Sequence, residues 1–292
     1  MSTLNTLLRP YRARAINPEM TEAEVFDIAS KTSEYNIGGL IGRRPEFYDK
    51  LPERFRDQTI TLRFDNGGPV LTHRFIDAHR LLWSEGGSGV EAYREEYYEA
   101  LQIDTDVFLL AYLRKGSRPV TSITIALDFG MNLTTVIKGA IGTEFSARDV
   151  SQYIGHGVIE RDGAPVPLAW RHQPTRDLVG RSFGWSYRDD MTSQHIYGAP
   201  SSIAWVILQG PGCGLLGTAP CKYFRLNEHL YLYTWVESMG SGQQGVVLMN
   251  LRTMHDVGTF YGFPDTKTFE FYTYGAKGYD LGSYNTRDLF PW

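Results

Sequence analysis

The sequence contains little cysteine, no long apolar run and no concentrated positive charge. Its two cysteines, Cys213 and Cys221, are too few for a disulfide framework, and neither lies in a CxxC motif. No segment reaches about eighteen consecutive apolar residues, and the first residues lack a long apolar stretch. We therefore expect no membrane-spanning helix and no signal peptide, and we predict a cytoplasmic location.

The charge pattern and the histidine spacing argue against several kinds of site. The net charge is −4 at pH 7, whereas a protein that binds nucleic acid usually shows a basic patch. The 7 histidines form no HxxxH or HxH pair, so no metal site is predicted. The stretch GCGLLG, Gly212 to Gly217, matches GxGxxG, but strand-like residues follow it where a dinucleotide site needs a helix. We expect no cofactor, no nucleic-acid partner and no membrane partner.

Aromatic residues, in contrast, are abundant. They make up 13% of the chain, with 18 Tyr, 15 Phe and 6 Trp, which suits β-structure and aromatic-lined cavities. From Gln58 onward, short β-branched or aromatic segments alternate with Gly-containing or polar turns. The first of them, TITLRFDNGGPVLTHRF, predicts a hairpin around DNGG. Such spacing predicts antiparallel meanders that close into barrels.

The β-rich part of the chain contains an internal repeat. DTDVFLLAYLR, residues 104–114, aligns without a gap with NEHLYLYTWVE, residues 227–237, and each segment leads through a turn into an apolar strand. We infer an all-β fold of two tandem calycin-like, lipocalin-like antiparallel barrels, each of a size that can enclose a small ligand. The predicted organisation is an arm over 1–56, a first barrel over 57–143, a helical and Pro-rich linker over 144–178, a second barrel over 179–275 and a tail over 276–292. Within the arm, Thr21 and Glu24 have the spacing of a capping box, which predicts a short helix.

Both halves resemble a known family. DLVGRSFGWSYRDD, SQHIYGAPSSIAWVILQG, CKYFRLNEHLYLYTWVE and GVVLMNLRTMHDVGTFYG resemble the C-terminal half of the molybdenum cofactor biosynthesis protein F (MoaF) family. Residues 61–75, with YYEALQIDTDVFLLAYL and SITIALDF, resemble its N-terminal half. The resemblance covers most of residues 37–264 and implies lipocalin-like barrels.

A more distant resemblance is to phenolic acid decarboxylases, which are also small barrels. Their site uses two tyrosines on an opening strand and a glutamate in a later YxxxWxE segment. Here FGWSYRDD begins at Phe183, and YLYTWVE ends at Glu237. The resemblance implies site roles for Tyr187 and Glu237, while Trp185 stands at the position of the first tyrosine.

Glu237 is the leading candidate for chemistry. With a two-residue period, YLYTWVES places Tyr231, Tyr233, Trp235 and Glu237 on one face of a strand. A carboxyl among aromatic rings is desolvated, which raises its pKa and makes it a usable general acid or base. The alternative is an exposed glutamate at the end of a strand.

Two further residues are candidates for binding and polarising a substrate oxygen. Tyr187 shares a strand face with Phe183 and Trp185, and the alternative is an aromatic core strand. His195 lies in SQHIYG, and imidazole transfers protons readily near neutral pH; the alternative is a hydrogen-bonded structural histidine. The predicted aromatic wall of the site consists of Trp185, Tyr197, Trp205, Tyr231, Tyr233 and Trp235.

The sequence thus predicts a site in the second barrel, because the first repeat has Arg114 where the second has Glu237. The leading hypothesis is a cofactor-independent enzyme that performs an isomerisation, cyclisation or lyase reaction on a small aromatic or unsaturated molecule. The alternatives are a small-molecule carrier or sensor that uses the same cavity, and an interaction module. A homodimer is compatible with each of these readings.

Overall fold

The computed structural model describes residues 21, 23–24, 27–28, 55–86, 93–114, 116–117, 120–142, 147, 149–161, 166–167, 169–237, 242–263 and 269–285. Seventeen strands account for most of these residues. In the predicted arm, Ala23, Glu24, Asp27 and Ile28 have helical backbone. The Thr21 N–H donates to Glu24 Oε2 at 2.8 Å, and the Glu24 N–H donates to Thr21 Oγ1 at 3.3 Å. The predicted capping box is therefore confirmed, and the rest of the arm up to residue 54 lies outside the described residues.

The first barrel consists of eight antiparallel strands in chain order. They are β1 Thr59–Phe64, β2 Val70–Phe75, β3 Arg80–Glu85, β4 Arg94–Asp104, β5 Val107–Arg114, β6 Thr121–Asp128, β7 Leu133–Ile141 and β8 Val150–Glu160. Each strand pairs with the next, and β8 pairs back onto β1. Gly157 allows this closure, because a Cβ there would lie 2.2 Å from the Arg63 carbonyl oxygen. At one end the buried Phe55 ring closes the lumen against Phe75 and Phe108, with centroid separations of 4.9 and 5.2 Å.

The second barrel repeats this plan with eight antiparallel strands. They are β10 Arg181–Arg188, β11 Met191–Ala199, β12 Ser202–Gln209, β13 Leu216–Arg225, β14 Leu230–Val236, β15 Gln244–Asn250, β16 His255–Gly262 and β17 Glu270–Ser283. β17 pairs with β10, and β12 pairs with β13, so the ring is complete. The two-residue β9, Gln173–Pro174, adds to the outer edge of β13. GCGLLG lies in the β12–β13 turn and the start of β13. A strand therefore follows the glycines, whereas a dinucleotide site needs a helix there.

The two barrels pack through their outer faces. Leu109 and Leu232, which align in the repeat, belong to one apolar cluster between the barrels. Hydrogen bonds cross the same boundary, from Gln152 Nε2 to Thr234 Oγ1 at 2.8 Å and from Tyr261 OH to the Val120 carbonyl at 2.6 Å. Both faces of the central strands are therefore buried, one in a lumen and one in the interface.

The predicted all-β fold of two tandem antiparallel barrels is confirmed, but two segment assignments are wrong. The predicted helix in 144–178 is instead strand β8, because Ser151, Tyr153 and Gly155 alternate with residues that face the second barrel. The predicted tail from 276 begins inside β17, which continues to Ser283 because it must pair with β10 along its length. Among the described residues, no helix is long and apolar enough to cross a bilayer.

Candidate functional site

Strand β14 has two different buried faces. Tyr231, Tyr233 and Trp235 point into the lumen of the second barrel. Leu230 and Leu232, on the other face, pack in the cluster between the barrels. The aromatic alternation of the sequence is therefore the inward face of a strand that is covered on both sides.

Glu237 follows β14 at the rim of this barrel, and its carboxyl lies against two inward-facing indoles. The Nε1–H groups of Trp205 and Trp235 both donate to Glu237 Oε1, at 3.1 and 2.6 Å. The backbone N–H of Glu237 donates to the Gln243 carbonyl at 2.7 Å, which fixes the chain at this point. Oε2 accepts no hydrogen bond from any described residue, so it is the oxygen left for a partner molecule.

The environment of Glu237 changes its acidity. Burial raises the pKa of the carboxyl from 4.5 to about 7, while the hydrogen bonds from Trp235 and Trp205 act in the opposite direction. Burial dominates because indole N–H groups are neutral donors and no cation neutralises the carboxylate among these contacts. A carboxyl with a pKa near 7 exchanges protons in both directions at neutral pH, which is the property a general acid or base needs.

His195 lies one layer below Glu237 in the lumen. Its Nδ1 is 3.0 Å from the Tyr233 hydroxyl, and its ring packs edge-on against Trp235 at 6.1 Å. Burial lowers the pKa of His195 to about 3, so the imidazole is neutral. These contacts fit the structural reading of His195 and give it no hydrogen bond to Glu237.

Tyr187 is also enclosed. Its hydroxyl lies 3.2 Å from Ser193 Oγ, and burial raises its pKa well above the ordinary value. Its ring meets Tyr274 at 5.5 Å, and Tyr274 in turn meets Phe260, which touches Trp235. A chain of ring contacts therefore links Tyr187 to Trp235 at the rim.

The middle of the second barrel is filled by aromatic side chains. Trp185, Tyr197 and Tyr233 are 0% exposed, and rings contact one another across the lumen at centroid separations such as 5.4 Å between Tyr197 and Tyr233. Zero exposure means that no space of the size of a water molecule adjoins these side chains. Large rings therefore occupy the space around Trp185, Tyr197 and Tyr233, and the expected cavity with Tyr187 and His195 on its wall stays a prediction.

The remaining predicted wall residues fall into separate groups. Trp205 and Trp235 lie at the rim with Glu237. Tyr231 lies six residues earlier on the strand, roughly 20 Å from the rim by the rise of a β-strand, and its hydroxyl lies 3.4 Å from Asp177 Oδ2. The structure therefore brings together Glu237, Trp205 and Trp235, and it separates Tyr231 from them.

Sequence reasoning missed one residue in the lumen, Asp256 at the second position of β16. It is 0% exposed, and neither carboxyl oxygen accepts a hydrogen bond of normal geometry from a described residue. Burial raises its pKa well above the ordinary value, and the nearby backbone N–H of Ala276 opposes this only weakly. The only signal in the sequence is that Asp256 alternates with Gly258 and Phe260 on the inward face, a pattern that the apparent turn RTMHDVG conceals.

Buried acids of this kind do not assemble into a metal centre here. Within the described ranges, no three His, Cys, Asp or Glu side chains come close enough together to hold a metal ion. Cys221 is buried in the middle of β13, and burial raises the pKa of its thiol, which disfavours the reactive thiolate.

Comparisons with known proteins agree with the two-part organisation. The family model described as the MoaF N-terminal domain matches residues 49–143, and the model described as the MoaF C-terminal domain matches residues 172–283. Protein MoaF of Klebsiella aerogenes is 32% identical over 102 residues, which is 35% of this chain and 37% of that protein. The matched stretch thus spans little more than a third of that relative's length.

A solved structure, that of a candidate beta-lactamase from Burkholderia vietnamiensis, matches 37% of this chain and 100% of its own at 15% identity, with a TM-score of 0.33. A likeness at that level says nothing about function. The two family models together match more than half of the chain, in residues 49–143 and 172–283, and on that ground this chain belongs to the MoaF family.

Proposed function

We propose that this protein is a cofactor-independent enzyme that moves a proton on a small aromatic or unsaturated molecule, with Glu237 as the general acid and base. The observation that carries the proposal is the Glu237 carboxyl at the rim, which is held by two indoles and has a pKa of about 7. Isomerisation, cyclisation and lyase reactions of enones or phenols all begin with such a transfer.

The indoles supply both position and selectivity. Trp205 and Trp235 fix the Oε1 atom, so the Oε2 atom keeps one direction relative to the rim. The faces of these aromatic rings and of nearby Phe260 favour a flat, apolar substrate. In the deprotonated enzyme, Glu237 Oε2 takes a proton from carbon or oxygen, and the resulting acid returns it to a different atom of the same molecule.

Tyr187 and His195, predicted from the sequence to be catalytic, have no direct contact with substrate in this proposal. Their polar atoms are engaged with Ser193 and Tyr233, and both side chains are closed off from solvent. The His195 ring packs against Trp235, and the Tyr187 ring packs against Tyr274.

The test begins with ligand discovery. Small phenols, aldehydes and enones are screened for a rise in the melting temperature of the full chain, since a ligand that binds only the folded state stabilises it. Each ligand is then incubated with the protein in D2O, and loss of carbon-bound proton signals is followed by NMR. We expect enzyme-dependent exchange at the position next to the carbonyl or ring.

The decisive variant is Glu237→Gln, with Glu228→Gln as the matched control, because the Glu228 carboxyl is 80% exposed in a turn of the same barrel. Glu237→Gln should bind with affinity within about threefold of the wild type and lose about 10²- to 10⁴-fold in exchange rate. The control should keep both. Unchanged exchange in Glu237→Gln would contradict the proposal.

A second candidate is a non-catalytic carrier or sensor that binds at the rim, where Glu237 Oε2 and the rings of Trp205 and Trp235 offer the same contacts without proton transfer. In that case ligands raise the melting temperature of the wild type, no exchange occurs with any of them, and Glu237→Gln alters affinity alone. The same two measurements therefore separate the two functions.

A further inference from the structure

The first barrel has an open cavity. It has a volume of about 540 Å³ and lies at the end of the lumen opposite the Phe55 plug. Cavities of about 300–1,000 Å³ are the usual size of small-molecule sites. The proposed function does not use this space, which belongs to the other half of the chain.

The walls of the cavity are apolar at depth. Leu71, Ile123 and Val136 line it, and each is less than 7% exposed. They come from β2, β6 and β7, so they surround the space rather than cover one side of it. An apolar body of moderate size fits against them.

Among the residues that the structure describes, two cations and one acid line the mouth of the cavity. Arg114 ends β5, Lys138 projects from β7, and Glu85 ends β3. Lys138 forms no ion pair with any described residue, and Arg114 Nη1 is 3.4 Å from Glu85 Oε2, a long contact. The three side chains leave a net positive charge at the mouth.

Arg114 is held in a position suited to an anion. Its guanidinium lies 4.2 Å over the Trp83 ring, a cation–π contact that supports one face of the plane. Its Nε–H is buried and has no hydrogen-bond partner among the described residues. A buried donor without an acceptor costs free energy, and a carboxylate in the cavity would satisfy it with the planar geometry that Arg prefers.

We infer that the first barrel binds a small organic monocarboxylate, whose anionic group meets Arg114 and Lys138 and whose apolar body occupies the space between Leu71, Ile123 and Val136. This site is independent of Glu237. The carboxylate displaces the long contact between Glu85 and Arg114, so Glu85 competes with the ligand.

Binding is measured by calorimetry on the full chain with octanoate, phenylpropionate and cinnamate, and with octanol and phenylpropionamide as uncharged analogues. The acids should bind, and the analogues should bind at least about tenfold more weakly, as expected for loss of a charge-assisted hydrogen bond. Arg114→Gln and Lys138→Gln should each weaken binding of the acids, by about tenfold and a smaller factor respectively. Glu237→Gln should leave it unchanged.

The substitution Glu85→Gln should change the affinity for the acids in the opposite direction. Removal of the competing carboxylate should tighten binding of the acids by a few-fold, an effect that loss of folding cannot mimic. Absence of binding by all three acids to the wild type, equal binding of acids and analogues, or full binding in both Arg114→Gln and Lys138→Gln would overturn the inference. Loss of binding in Glu237→Gln would place the ligand in the second barrel and would also overturn it.

Discussion

Arg114 and Glu237 occupy the same position in the two barrels and carry opposite charges. Arg114 lies 4.2 Å over the ring of Trp83. Glu237 accepts a hydrogen bond of 3.1 Å from Trp205. In each barrel, therefore, a charged side chain at the end of the fifth strand rests against a tryptophan of the third.

Strand register shows that these positions are equivalent. Tyr98 pairs with Tyr112 in the first barrel, and Cys221 pairs with Trp235 in the second, each two residues before the charged position. The same scaffold thus presents a cation in one rim and an acid in the other. Because the same fold holds both, the chemistry of each site depends on a few rim residues and not on the fold.

The two tryptophans are equivalent as well. Trp83 pairs with His73 across β2 and β3, and Trp205 pairs with His195 across β11 and β12. An indole interacts with a cation through its ring face and with a carboxylate through its N–H edge. One residue type therefore supports both charges.

Protonation of Glu237 should affect stability in a defined pH range. Its pKa is about 7 in the folded protein and close to 4.5 in the unfolded chain, so the folded state holds an extra proton between these values. The stabilisation is fully present below about pH 4.5 and is lost as the pH rises through about 7, with a total on the order of 2 kcal/mol after allowance for partial exposure.

Urea unfolding of the wild type and of Glu237→Gln between pH 5 and pH 8 measures this effect. The free energy of unfolding of the variant, relative to that of the wild type, should increase by that amount from the lowest to the highest pH. Parallel curves would mean that the carboxyl is already charged at pH 5.

Trp205→Phe should raise the pKa of Glu237 above about 7. The substitution removes one N–H donor that favours the carboxylate and keeps an aromatic ring in place. The pKa is followed by NMR of labelled glutamate carboxyls, with Glu237→Gln used to assign the signal. Trp170→Phe is the control, since Trp170 is 70% exposed and distant in sequence from the rim, and a lower or unchanged pKa in Trp205→Phe would contradict the role of the indole.

Asp256→Asn should gain stability relative to the wild type as the pH rises. Burial raises the pKa of Asp256 well above its ordinary value, so the folded state retains a proton that the unfolded chain releases, and wild-type stability falls with rising pH between the two pKa values. Asn has the same shape and no such proton. Denaturant unfolding from pH 6 to pH 9 tests this, with Asp280→Asn, at an exposed position, as the control. If Asp256→Asn instead lowers the free energy of unfolding by about 3 kcal/mol or more, the buried carboxyl is a charge held by a partner.

Local patterns in the sequence predicted the architecture well because they reflect local physics. The alternation of aromatic residues over 231–237 predicted which side chains of β14 face the lumen. The gapless alignment of the two repeats predicted that there are two barrels. The packing of the lumen was not predictable, since the volume left inside a ring of strands depends on how side chains from different strands meet. Asp256 was missed for the same reason, because nothing local distinguishes a buried aspartate from one in a turn.

Closure of the first barrel should depend on Gly157. A Cβ at this position would lie 2.2 Å from the Arg63 carbonyl oxygen and 2.9 Å from the Phe64 Cα, both backbone atoms of β1 that cannot rotate away. Gly157→Ala should therefore separate β8 from β1 and destabilise the protein by about 3 kcal/mol or more, at the upper end of the cost of overpacking.

The matched control is Gly198→Ala in β11, where an added Cβ meets only the Tyr284 hydroxyl at 3.5 Å. Hydrogen exchange of the β1 and β8 amides distinguishes loss of closure from global destabilisation. In Gly157→Ala these amides should lose protection first, while β5 and β6, which are buried against the second barrel, stay protected. If Gly157→Ala has the melting temperature of the wild type and its β1 amides stay protected from exchange, β1 and β8 have room for a methyl group. The contact between these two strands would then be looser than the close approach of Gly157 to Arg63 indicates.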